Sequence, residues 1–223
     1  MRSPGTPRSS PTSNRPPRAR SVFINCPFDE AYQPLLRAIS FTILACGYVP
    51  RCALDFSDSG AVRFQEIVRI ITECSLSIHD ISRVELDETS KLPRFNMPLE
   101  LGADLGLRLA GPALQRERKC LVLDAEKHRY DMTLSDISGM DIEAHGNDVG
   151  RAIKHVRDWL NANRKDGPVL PGSAAIASDY GTYLGIAPSI VTALRLDPHE
   201  TLPHRDYLHV VEQALPQIER ARR

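Results

Sequence analysis

The chain has 223 residues, 28 of them basic and 28 acidic, and 42% are hydrophobic. That is enough for one medium α/β domain with a smaller addition. It lacks the run of about 18 apolar residues that would cross a membrane. It also lacks the N-terminal apolar core of a secretory signal. Five cysteines (Cys26, Cys46, Cys52, Cys74 and Cys120) form no C-x-x-C pair, a usage that suits reduced thiols and a cytoplasmic protein.

Residues 1–20 are Ser, Pro, Thr and Arg with five arginines and no acid, leaving a body of net charge −5. Such a tail has almost nothing to bury and is expected to be disordered. The acidic body argues against nucleic-acid binding, except weakly through the tail. "SVFIN" (21–25) reads as a strand. Leu35, Leu36, Ile39 and Ile43 predict a helix that starts near Pro34 and ends at Gly47. A second strand follows at 48–54, weakened by Pro50, then a helix over 61–74 and a third strand, "LSIHD" (76–80). "NMPLELGADLGLRLA" predicts a helix over 97–109, "KCLVLD" (119–124) a fourth strand and "GMDIEAH" (139–145) a fifth. The amphipathic stretch 147–164 predicts a closing helix, and two further helices are expected near 174–194 and 204–221.

Alternating strands and helices imply a flavodoxin-like parallel sheet of about five strands over residues 21–166, with helices on both faces. Residues 167–223 are expected to form a C-terminal helical appendage packed on the sheet domain or on a neighbour. In open sheets of this kind, ligands bind beyond the carboxyl ends of the strands. Four predicted strands end there in Asn25, Asp55, Asp80 and Asp124. Each has an alternative role as a cap for the following helix.

Glu100 lies between two leucines, in what reads as the first turn of the third helix. A helix N-terminus favours an ionised carboxylate, whereas flanking leucines that exclude water raise its pKa. Spacing also permits a plain solvated stripe of Glu100, Asp104 and Arg108, with an Asp104–Arg108 pair. Gly102 and Gly106 are expected to allow close approach of the helix to the sheet. No dinucleotide-binding G-x-G-x-x-G, phosphate-binding G-x-x-x-x-G-K-[ST] or nucleophile-elbow G-x-S-x-G occurs, and the seven histidines are dispersed. No metal and no bound cofactor are expected, and His79 reads as a core histidine.

"FINCPFD" (23–29), "IHDIS" (78–82) and "NMPLELGADLG" (96–106) resemble the superfamily that joins nucleoside 2-deoxyribosyltransferases with bacterial TIR-like domains. The matching residues are Pro27-Phe28 after the first strand, Asp80 after the third, and Glu100-Leu101-Gly102-Ala103 opening a helix. At Asn96-Met97-Pro98 the chain departs from the Gly-Thr of the transferases. The resemblance implies that Glu100 is a nucleophile or oxocarbenium stabiliser and that Asp80 holds ribose hydroxyls or protonates a base. Asn25, Pro27, Phe28, Asp29, Asp55, Ser82, Arg94 and Asn96 are then the candidate binding residues. The implied activity is cleavage or transfer at an N-glycosidic bond, with NAD or a nucleoside as substrate, in a homo-oligomer. The alternative is a nucleotide-sensing or protein-interaction module without chemistry. A phosphoacceptor receiver is disfavoured, because "NCPFD" lacks paired acids directly after the first strand.

Overall fold

A computed structural model of the chain describes residues 17–56, 58–83 and 94–222. The tail expected over residues 1–20 therefore lies mostly outside the described residues, as does most of the loop before Arg94. Arg18–Arg20 form one 3-10 turn that docks on the body, with Arg18 donating to the Thr72 and Leu114 carbonyls.

The sheet is parallel, with strands β1 (Ser21–Asn25), β2 (Val49–Cys52), β3 (Leu76–Asp80), β4 (Lys119–Asp124) and β5 (Glu143–Ala144) in the order β2-β1-β3-β4-β5. This is the flavodoxin-like order. Pro50 falls on β2, an edge strand paired only to β1, where a missing N–H is tolerated. The fifth strand is shorter than its sequence suggested. Only Glu143 and Ala144 pair with β4, and Gly139, at a φ of 94°, turns the chain before them.

Helices α1 (Gln33–Ala45), α2 (Arg63–Glu73), α3 (Asn96–Ala110), α4 (Ala113–Arg116) and α5 (Val149–Ala162) cover the two faces. Side-chain alternation decides which face each strand residue serves. Val22, Ile24, Leu76, Ile78, Leu121 and Leu123 point towards α1 and α5 in the main core. Phe23 packs with Ile67, Ile70 and Ile71 of α2, and Val122 with Leu101 of α3. Gly47, at a φ of 76°, ends α1 as its position predicted.

The last two helices, α6 (Ser173–Ala193) and α7 (His204–Ala221), lie outside α1 and α5 and extend the main core. Tyr180 and Tyr183 sit against Phe41 of α1, with ring centroids 5.2 and 5.4 Å away. The Tyr207 hydroxyl donates to the Arg37 carbonyl at 2.7 Å. These helices are part of the packing of the sheet domain. No helix among the described residues is long and apolar enough to cross a membrane.

Candidate active site at the carboxyl edge of the sheet

β1 and β3 deliver Asn25 and Asp80 to the carboxyl edge one register step apart, Asn25 being paired with His79. Because neighbours along a strand face opposite ways, His79 and Asp80 serve opposite faces of the sheet. Two separate buried networks result.

The first lies on the α3 side. Asn25 donates from its amide nitrogen to the Met97 carbonyl at 2.8 Å and to His79 Nδ1 at 3.0 Å. Those bonds place the imidazole proton on Nε2, which donates to Asp104 Oδ2 at 2.9 Å. Arg118 Nε completes the chain at 2.5 Å from Asp104 Oδ1, and the guanidinium also donates to the Ile71 carbonyl at 2.5 Å. Burial alone would raise the Asp104 carboxyl. The hydrogen bond and electrostatic pull of His79, then those of Arg118, outweigh it and hold the group far below the usual carboxylate range.

Asp104 is therefore not on a solvated stripe. It is 2% exposed, and its partners are His79 and Arg118, not Arg108. The side of α3 that turns outward carries Leu99, which is 57% exposed, together with Gly102 and Gly106. A methyl group added at either glycine would meet only open space, so the expected close approach to the sheet is absent there. His79, Asp104 and Cys120 place potential ligand atoms within 4.8 Å of one another. A guanidinium already bonded to Asp104 repels a cation there, and burial, then the Asp104 charge, pushes the Cys120 thiol up to about 12. The donor set fits a hydrogen-bonded hub and not a metal site.

The second network holds Asp80, which is fully buried. Its Oδ2 accepts from the Tyr32 hydroxyl at 2.5 Å and from His145 Nε2 at 2.9 Å, and its Oδ1 from the Ser82 N–H at 2.9 Å. The Asn147 N–H donates to His145 Nδ1 at 2.9 Å, which leaves the imidazole proton on Nε2 for Asp80. Burial, then the Asp80 charge, raises the Tyr32 phenol well above its ordinary value, so it stays a donor. Ser82 is buried, and its carbonyl accepts from Arg129, which also binds Asp124 at 2.5 Å. Burial raises the Asp124 carboxyl despite Arg129.

Glu100 differs from all of these. α3 begins at Asn96, so Glu100 stands one turn inside the helix and not in its first turn. It is half-buried, and burial pushes its pKa up to about 7 against the opposing charge of Arg63. Among the described residues no hydrogen bond or ion pair engages its carboxylate. Of the two flanking leucines only Leu101 is buried, 2% exposed, whereas Leu99 is largely exposed.

Three of the expected site residues, Asp80, Glu100 and Asp29, act on one buried thiol. Cys26 is the common neighbour: burial raises its thiol well above the ordinary value, followed by the charges of Cys52, Asp80, Glu100 and Asp29. Phe28 is half-buried and bridges two core clusters, behind the buried Pro27. Asp29 caps the 3-10 turn Glu30–Tyr32 and pairs with Arg83 at 3.1 Å and Arg94 at 3.2 Å. Asn96 is exposed at the start of α3. Asp55 stands apart, in a 3-10 turn after β2, paired with Arg51 at 2.7 Å and close enough to His204 of α7 to oppose the lowering of its pKa by burial.

Tyr32, Arg118 and His145 belong to the two networks, while Arg63 acts on Glu100 and Arg83 pairs with Asp29; Tyr32, Arg63, Arg83 and Arg118 carry no sequence signal. His145 carries a weak one, the "HGN" after β5, where Gly146 and Asn147 both take positive φ. A cleft of about 330 Å³ opens beyond β2, walled by Phe56, Asp58, Ser59 and Arg63, the last being the cation that acts on Glu100. A larger cavity lies at the opposite edge of the sheet, remote from these carboxylates. No protein-family profile, curated protein or solved structure matches this chain.

Proposed function

We propose that the protein cleaves an N-glycosidic bond with Glu100 as the reacting carboxylate, and that NAD is its preferred class of substrate. The observation that carries this reading is the contrast among the acids. Asp80, Asp104, Asp124 and Asp29 are all engaged by internal donors, whereas Glu100 is desolvated, raised to about 7 and without a bonded partner among the described residues. An unpartnered, partly dry carboxylate at the ligand-binding edge of a parallel sheet suits stabilisation or capture of an oxocarbenium-like sugar carbon.

The choice of NAD follows from the leaving group. Nicotinamide in NAD is already cationic and departs neutral, so a single carboxylate suffices. A purine leaves poorly unless an acid protonates it. Asp80, the natural second acid, has both oxygens occupied and no exposed surface, which suits a positioning role for the β1 and β3 ends. Asn25 acts similarly by fixing the first turn of α3 through the Met97 carbonyl.

Incubation of the purified full chain with NAD, and separately with deoxynucleosides, tests the reading by chromatography of the products. Release of nicotinamide from NAD is expected. Release of free base from deoxynucleosides only would reassign the substrate class, and no turnover of either would leave a binding module in place of an enzyme.

A further inference from the structure

The opposite edge of the sheet carries a feature that the proposed chemistry does not use. A cavity of about 830 Å³ opens at the amino ends of the strands, within the size range of small-molecule sites. Its cations are Arg18, Arg20, Lys119, Arg164 and Lys165, against the two acids Glu117 and Asp166. Its apolar wall is made by Leu76, Leu114 and Leu170, with Tyr48 beside them.

The three arginines are held by main-chain carbonyls. Arg18 donates to Leu114 O at 3.1 Å, Arg20 Nε to Gly47 O at 3.0 Å, and Arg164 to Pro168 O at 2.5 Å. No carboxylate pairs with any of them among the described residues, and none pairs with Lys119 or Lys165. Carbonyl docking fixes a guanidinium without neutralising it, so the positive charge stays available to an anion. Burial, then the charge of Arg118 behind the cavity, lowers the Arg18 pKa from its ordinary value, against a weaker opposing effect of Glu117.

We infer that this amino-edge cavity is a second binding site, separate from Glu100, for a nucleotide whose phosphates meet the five cations and whose base meets Tyr48 and the leucine wall. Multiple fixed cations select an anion of high charge, and phosphate is the anion that guanidinium and ammonium groups recognise together. The apolar wall and the volume select a phosphate that carries a flat organic body over a bare inorganic one. β1 has five residues, so the two edges are about 17 Å apart at the usual rise per residue. One small ligand does not fill both.

Binding of ATP to the full chain, read by calorimetry, tests this against adenosine and a short single-stranded oligonucleotide. ATP is expected to bind, to weaken as salt is raised and to outcompete adenosine. Lys119→Glu with Lys165→Glu, both exposed positions, should weaken ATP by about tenfold or more. Arg220→Glu on the exposed side of α7 should leave it unchanged. Glu100→Gln should also leave it unchanged, which separates this site from the proposed catalytic one. ATP affinity that ignores the double charge reversal would overturn the inference. So would tight oligonucleotide binding without ATP binding, which would make the edge a nucleic-acid surface.

Discussion

Glu100 shows how one side chain acquires chemistry from its surroundings. Its neighbours in sequence are leucines, of which Leu99 is largely exposed and Leu101 buried, and Glu100 itself is half-buried. Burial pushes its pKa up to about 7 against the opposing charge of Arg63. A carboxyl whose folded-state pKa exceeds its unfolded value favours the neutral form on folding. The stability linked to it is fully present below the unfolded-state pKa of about 4.3 and is lost as pH rises through about 7. Glu100→Gln mimics the neutral form, so it should be nearly neutral for stability below about pH 4 and stabilising near pH 8. The expected gain is about 1–2 kcal/mol, discounted because the group is partly in water. Thermal melts at the two pH values check this, and an equal effect at both would mean that Glu100 is simply solvated. The apolar context of Glu100 was legible in the sequence; the isolation of its carboxylate was not. That depends on Asp29, Asp80 and Asp104 finding partners elsewhere in the chain.

At the scale of the element, α3 is oriented by a polar residue as much as by apolar ones. Met97, Leu101 and Asp104 make its buried face. In the sequence, Glu100, Asp104 and Arg108 share the spacing of a solvent stripe. The spacing misled because the true partners of Asp104 are 25 and 14 residues away, on β3 and before β4. Local pairing rules do not see contacts of that range. Asp104→Asn would leave the buried Arg118 guanidinium without its counter-charge. Removing one member of a buried pair costs about 3–5 kcal/mol, so a large fall in thermal midpoint is expected. A variant as stable as the wild type would show that the Asn25–His79–Asp104–Arg118 chain does not hold α3. By contrast, β1, β3 and β4 were legible to the residue, because dense apolar runs buried on both faces leave little choice of boundary.

The whole molecule places Glu100 and the engaged acids at the carboxyl ends of the sheet and an excess of cations, five against two acids, around the cavity at the amino ends. The parallel order was readable from the alternation of elements. The integration of the last two helices was not, since their apolar residues could equally have met a neighbour. Ile176, Tyr180, Tyr183, Val210, Val211 and Ala214 all join the core under α1. Truncation after residue 166 should therefore expose that surface and abolish a cooperative melt, with dye binding as the readout; a cooperative, monomeric truncation product would show an independent appendage. The central claim concerns the carboxyl edge, and the most direct test is the kcat/KM for nicotinamide release from NAD by wild type and Glu100→Gln. The account predicts a fall of about 10²-fold or more, the usual loss when one electrostatic stabiliser of a transition state is removed. Equal values for the two proteins, both folded, would contradict it.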